Sequence, residues 1–365
     1  MNYSFRPSLT KDVNDYASHT AHPEGDVIDC TLGVNPYGFP PAAAEALQHY
    51  DYRQIARYPH EDVLRPAIRR YWHGYSDLHM EQISLCNGSY LGLFCLNNLF
   101  FGTDRKRVVS FVPTFTDMLT NASFFDMEIV PVPFVGRTEH APTEALLRAI
   151  DRHTALVYLD RPNNPTGNVL PMQEVEAILR TARAAGAFVL VDEVFADFLP
   201  REESCVPLLE RYDNLIIVRT FSKGFGLADL RAGYVLAPPQ ITKLMAKTVN
   251  PFILPSFVRM ACAAALMHPD HPAAHQADFA MAKRALLEAT GSTLIMEPTD
   301  LRTPILIMRS ATDRDLQSCY LEQGIMTVSG REFEALDERS VRISVPTSAD
   351  VDRLIRATAV LDRKP

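Results

Sequence analysis

Between about residue 85 and residue 240, short runs of β-branched and aromatic apolar residues alternate with longer stretches whose apolar positions recur at helical spacing. That alternation predicts crossover units that build a mainly parallel sheet. The predicted strands are Arg107 to Val112, Ile129 to Phe134, Ala155 to Leu159, Phe188 to Val191, Leu215 to Arg219 and Gly233 to Leu236. Met172 to Ala185 predicts a helix between two of them, and Gly186 behind it reads as its stop, since glycine takes the left-handed conformation cheaply. Past Pro251 the texture becomes a long Ala- and Met-rich helical region, then strand-like runs at Ile305 to Met308 and Val341 to Val345, then a helix from Ala349. The first forty residues have little periodicity but many turn signals, Gly25, Gly33, Asn35-Pro36, Gly38 and Pro40-Pro41, which predicts an arm wrapping over other parts. The expected organisation is an arm (1–40), a large α/β domain (41–250) and a small α+β domain (251–365).

Composition narrows what such a chain could do. Of 365 residues, 47% are apolar and 22% charged, an ordinary globular balance with enough apolar mass for a sizeable core. A net charge of −8, with Lys and Arg scattered, gives no basic stripe for a phosphate backbone, so a small molecule is the expected partner rather than nucleic acid. Cys30, Cys86, Cys95, Cys205, Cys262 and Cys319 form no close pairs, which argues against a disulfide framework or a structural zinc site. The start has no apolar core of signal-peptide length, and no apolar run approaches the ~20 residues that span a bilayer. The expectation is a cytoplasmic protein without membrane contact.

The most informative segment is Thr220-Phe221-Ser222-Lys223-Gly224-Phe225-Gly226, continuing to Arg231-Ala232-Gly233-Tyr234, behind the apolar strand. A strand ending in a hydroxyl, a lysine and two glycines, with an arginine eight residues past the lysine, can place phosphate-binding groups around one amine. A lysine whose pKa is depressed attacks a carbonyl to form an imine. A bland reading, a surface lysine on a turn, competes, and Gly224 and Gly226 imitate a dinucleotide fingerprint that lacks its third glycine. Asp192 ends an apolar strand, where an acid points into the ligand crevice and can hold a pyridine nitrogen protonated; the alternative is a helix cap. Asn163-Asn164-Pro165-Thr166-Gly167 is a turn whose Asn164 can bond a ring oxygen, and Gly88 and Ser89 open the helix-like run Tyr90 to Phe101, where an anion is favoured.

Taken in order, these residues resemble the class I/II aminotransferases of fold-type I, within them the branch of histidinol-phosphate aminotransferase and threonine-phosphate decarboxylase. The similarity runs from Asn35-Pro36-Tyr37-Gly38 through Tyr58-Pro59, Asn87-Gly88-Ser89, Pro113-Thr114-Phe115, the Asn163 to Gly167 turn, Asp192-Glu193, Ser222-Lys223 and Arg231 to Val341-Arg342-Ile343. It implies an aspartate-aminotransferase-like, three-layer large domain with a mainly parallel sheet, beside a smaller α+β domain. It also implies pyridoxal 5′-phosphate as cofactor, held as a Schiff base on Lys223, with Asp192 on the ring nitrogen, Asn164 on the ring hydroxyl and Phe115 stacked on the ring face. Gly88, Ser89, Ser222 and Arg231 would hold the phosphate, with Tyr58 reaching it from the partner subunit of a homodimer. Arg342 would grip the substrate carboxylate, with Asn35 and Arg331 further candidates at the substrate. The reaction implied moves an amino group between an amino acid and a 2-oxo acid.

Two departures stand out. Relatives usually carry a tyrosine three residues after the cofactor aspartate, bonded to the ring hydroxyl; Phe195 stands there and has no hydroxyl to donate. Relatives acting on phosphorylated substrates usually carry an arginine ahead of the final one, where Val328 stands, so an unphosphorylated amino acid is expected. The same cofactor could instead serve decarboxylation, elimination or oxidative deamination, or a regulator without chemistry, although no basic helix-turn-helix segment precedes residue 35. His268, His271 and His275 mimic a metal face on a helix, but Pro269 and Pro272 interrupt it, so no metal is expected.

Overall fold

The computed structural model describes residues 7–10, 26–100, 102–134 and 142–363. Gly25, Phe101 and much of the expected N-terminal arm lie outside the described residues. Strand β1 (Ile28–Asp29) comes first. The central sheet then collects β2 (Ile83–Cys86), β3 (Arg107–Val112), β4 (Glu128–Pro133), β5 (Thr154–Asp160), β6 (Phe188–Asp192), β7 (Leu215–Thr220) and β8 (Gly233–Leu236). Its spatial order is β2-β8-β7-β6-β5-β3-β4, with only β8 running against its neighbours.

Sequence dictates this arrangement locally. Every residue of β5 and β7 is buried, as expected for parallel strands covered on both faces, and that is why they read as unbroken apolar runs. The helix Met172–Ala185 buries Val175, Ile178, Leu179 and Ala182, one face at i, i+3, i+4 and i+7, and stops at Gly186 with φ 72°. Expected strands and observed ones agree to within a residue at each end in this sheet. Strand β2, Ile83–Cys86, is short and went unread.

The second body holds β9 (Leu294–Met296), β10 (Ile305–Ser310), β11 (Ile325–Met326), β12 (Val328–Ser329) and β13 (Ser340–Ser344). Strands β12-β13-β10-β9 form an antiparallel sheet, and β11 pairs in parallel with β1. The helices Gln276–Glu288 and Ser348–Asp362 bury Phe279, Leu286, Leu354 and Leu361 in a second core that also takes in Phe195 and Phe198 from behind β6. The expected Ala- and Met-rich helical region is two helices, Ser256–Ala265 and Gln276–Glu288. The three histidines fall in the turns between them, where His275 stacks on Tyr37 at 3.5 Å.

All six cysteines are free thiols. Among the described residues, no helix is long and apolar enough to cross a membrane, and no group of three or more His, Cys, Asp or Glu is placed to hold a metal ion.

Candidate active site

Parallel strands present their carboxyl ends on one edge, and here three neighbours end together. Asp160 closes β5, Asp192 closes β6 opposite it in register, and β7 leads straight into Ser222 and Lys223. This is where open α/β sheets receive ligands. The chain then turns back, and Phe221 N–H donates to the Ala232 carbonyl at 3.0 Å while Thr220 pairs with Gly233. Lys223 and Arg231 therefore stand on one loop pinned at its base.

Asp192 is fully buried. Tyr158 donates its hydroxyl to it at 3.0 Å and the Val194 N–H donates at 3.1 Å. Burial, then the nearby Asp160 carboxylate, pushes its pKa up to about 7. Glu193 beside it points elsewhere, into a buried ion cluster with Arg219, Asp197 and Ser204. Adjacent acids thus serve different ends, one facing the crevice and one holding the core.

The Lys223 amine donates to the Leu32 carbonyl at 2.6 Å and lies 5.6 Å from the centre of the Phe195 ring. Burial, then the Arg342 and Arg231 charges, brings its pKa down to about 7, with Asp192 opposing. Lys223 therefore stands within electrostatic reach of Asp192, Arg231 and Arg342. Arg342 is 1% exposed; it donates to Asn164 Oδ1 at 2.9 Å and to the Thr31 carbonyl. Asn164 is held in turn, its N–H donating to Asp160 Oδ2 at 2.9 Å, and Phe115 N–H donates to the same oxygen at 3.1 Å.

Farther along the same loop, Arg231 has left-handed backbone, φ 49°, and donates to the Ala228 carbonyl at 2.9 Å and Ser222 Oγ at 3.3 Å. Gly88 opens the helix Gly88–Phe100 with φ 69°, and a Cβ there would stand 2.5 Å from Arg231 Nη2. A Cβ on Gly233 would likewise crowd the Ser89 N–H at 3.0 Å. Bare backbone, a helix N-terminus and a guanidinium converge, which suits an anion.

Asn35 is buried and acts as a stitch: its N–H donates to the Lys223 carbonyl and its side-chain amide to the Gly224 carbonyl, both at 3.0 Å. Phe195 rests its Cζ where a Cβ on Gly33 would be 3.0 Å away, so the ring edge is packed rather than turned outward. Tyr58 is 69% exposed and stacks on Phe252 at 4.5 Å, and Arg331 pairs with Glu338 at 3.2 Å on the surface. Sequence reasoning passed over Tyr158 and Asp160. For Asp160 the signal was present, an acid ending an apolar strand as at Asp192, whereas Tyr158 reads only as strand core.

The geometry fits pyridoxal phosphate on two counts. Asp192 is a buried acid whose hydrogen-bond donors are both neutral, and among the described residues no basic side chain pairs with it at 4.0 Å or less, so a protonated ring nitrogen would complete it. The Gly88 cradle, where a side chain cannot enter, suits the phosphate. A parallel sheet that delivers such an amine, acid and anion seat to one edge meets what a pyridoxal-phosphate site requires.

Comparison with known proteins narrows the class. Residues 25–357 match the family described as aminotransferase class I and II. A histidinol-phosphate aminotransferase of Geobacillus sp. (strain WCH70) is 31% identical over 350 residues, covering 93% of this chain and 91% of the relative. The solved histidinol-phosphate aminotransferase of Clostridium acetobutylicum superposes with TM-score 0.81 at 19% identity, covering 92% of this chain and 99% of that one. The L-threonine-O-3-phosphate decarboxylase of Porphyromonas gingivalis gives TM-score 0.77 at 20% identity, over 93% and 100%. The chain belongs to the class I and II aminotransferase family, and it is a pyridoxal phosphate-dependent transferase.

Proposed function

We propose that the chain moves the amino group of an unphosphorylated, small or medium amino acid to a 2-oxo acid, with the cofactor held covalently on Lys223. The observation that carries this reading is the Lys223 amine, brought down to about 7, at the strand ends within electrostatic reach of a buried acid and a buried arginine. The cofactor, when bound, supplies a sink for the electron pair left at the substrate α-carbon. Asp192 keeps its ring nitrogen protonated, and Asn164 and Phe115 orient the ring. Gly88, Ser89, Ser222 and Arg231 seat its phosphate. Arg342 binds the substrate carboxylate through its guanidinium fork. Once free, the Lys223 Nζ takes a proton from the α-carbon and returns it, a task that an amine titrating near neutral pH performs well.

The absence of a phosphorylated tail in this reading rests on Val328, which lies directly across the ladder from Arg342. An apolar side chain there offers nothing to a phosphate, and Arg331 is engaged with Glu338. The working assembly is a cytoplasmic homodimer in which Tyr58 of each subunit completes the other's phosphate seat. The arm, large and small domains are expected to divide at about residues 40 and 250; the two hydrophobic cores support two bodies but place residues 253–266 with the large one, which moves the second division toward residue 270.

Incubating purified enzyme with a panel of amino acids, with and without a 2-oxo acid, tests the reading. Sustained turnover is expected only when the acceptor is present. Sustained turnover without it would replace transamination by decarboxylation, elimination or oxidation.

A further inference from the structure

Lys283 is fully buried on the helix Gln276–Glu288 and has no part in the chemistry described so far. Its ammonium donates to Thr299 Oγ1 at 2.8 Å, the Asp300 carbonyl at 2.7 Å, Thr303 Oγ1 at 3.1 Å and the Ile305 carbonyl at 2.8 Å. Four uncharged oxygens surround three N–H donors, so every proton has a partner. The Asp300 carboxylate is occupied by Arg302, at 3.0 and 2.7 Å. Burying an ammonium without a paired anion is costly, and an apolar side chain would fill the same volume at less cost. Desolvation accordingly pulls its pKa well below the usual lysine range.

What the ammonium gathers explains why it is there. All four oxygens belong to the strap 299–305 that leads into β10, and the strap lies on Gly167, the last residue of the Asn163 to Gly167 turn. Thr303 Oγ1 donates to the Gly167 carbonyl at 3.0 Å, and a Cβ on Gly167 would be 2.3 Å from the Ile305 carbonyl. The turn carries Asn164, which accepts from Arg342. The strap runs on into β10, where Ile307 pairs with Arg342 on β13. A closed circuit therefore joins the residue proposed for the ring to the residue proposed for the carboxylate, with Lys283 at its far side.

We propose that Lys283 is a positioning residue: by bundling the strap 299–305 around one ammonium, it fixes Asn164 of the large sheet's edge relative to Arg342 of the small sheet and so sets the affinity for the substrate carboxylate. This rests on the reading of Arg342 as the carboxylate-binding group. The phosphate seat at Gly88 and Arg231 lies outside the circuit, so cofactor affinity, to which Asn164 adds one ring contact, changes far less than carboxylate binding.

The test compares Lys283→Met, Thr303→Val and Arg342→Lys with the parent holoenzyme. Propionate, a carboxylate with no amino group, is titrated against the bound cofactor's absorbance, and pyridoxal phosphate affinity is measured on each apoprotein. Lys283→Met is expected to weaken propionate binding and raise KM for the amino acid about 10- to 100-fold, with kcat and cofactor affinity changed less than about threefold. Thr303→Val, which removes one acceptor and the tie to Gly167, is expected to shift the same quantities in the same direction by about three- to tenfold. Should Lys283→Met fail to fold, the Thr303→Val result decides. Parent-like propionate affinity in these variants, whatever happens to their melting temperature, overturns the proposal and leaves Lys283 a packing residue. If Arg342→Lys weakens propionate while the others do not, only the role of Lys283 falls. If Arg342→Lys also leaves propionate binding unchanged, the carboxylate reading falls and takes the proposal with it.

Discussion

Lys223 is placed where an amine is uncomfortable as a cation, and that discomfort can be measured. Its folded pKa of about 7 lies below the unfolded value of about 10.4, so between those pH values the unfolded chain holds a proton that the folded chain has released. Apoprotein stability from this residue therefore rises with pH across that window and is least favourable below it. Lys223→Met is expected to abolish turnover yet stabilise the apoprotein by about 1 to 2 kcal/mol near pH 6.5, a figure discounted for partial exposure and for the lost bond to Leu32. Melts at about pH 6.5 and about pH 9.5 check this, because the gain must shrink at the higher pH. Tyr158→Phe removes the hydroxyl bond to Asp192 and is expected to lower kcat about three- to tenfold while leaving KM near the parent value. An unchanged kcat would show that the Val194 N–H alone holds the acid. Lys223 and Asp192 were legible in sequence because strand ends announce crevice positions. Tyr158 was not, since a tyrosine inside an apolar run looks the same whether its hydroxyl meets a carboxylate or nothing.

At the level of elements, the long parallel strands were legible and the short ones were not. Strands β5 and β7 bury both faces and leave an apolar run several residues long, whereas β1, β11 and β12 are two-residue ladders fixed by partners distant in sequence. The Ala- and Met-rich stretch was legible as a helical region, and the prolines at 269 and 272, read as interruptions, fall in the break between its two helices. The helix Gly88–Phe100 offers the sharpest test of an element's role. Gly88→Ala forces a side chain toward Arg231 and places alanine at φ 69°, a strain of about 1 to 2 kcal/mol. Cofactor affinity of the apoprotein is expected to fall more than about tenfold, with a smaller loss of melting temperature. Equal affinities for parent and variant would remove the helix N-terminus from the phosphate seat.

The whole molecule leaves Tyr52, Ile55 and Tyr58 between 64% and 69% exposed on one short segment beside Phe252, an apolar surface that a second copy would cover. If Tyr58 serves the neighbouring subunit, Tyr58→Ala and Lys223→Ala mixed in one preparation produce heterodimers in which one site carries both lesions and the other carries none. Activity with parent-like cofactor affinity is expected to reappear on mixing, in proportion to heterodimer content. Its failure to reappear, with heterodimers present by mass, would place Tyr58 in its own subunit's site or outside both. The expectation of a homodimer came from resemblance alone, because a surface aromatic carries no mark of what lies across from it.

The reversed direction of β8 has a consequence of its own. Since its start is zipped to the end of β7, the intervening dozen or so residues form a staple closed at the neck, and the staple bears both the lysine proposed as covalent anchor and the guanidinium proposed for the opposite end of the cofactor. With the neck closed, Lys223 can let go in turnover as proposed while Arg231, on the same loop, stays fixed in place, so the vitamin-derived group need not leave between half-reactions.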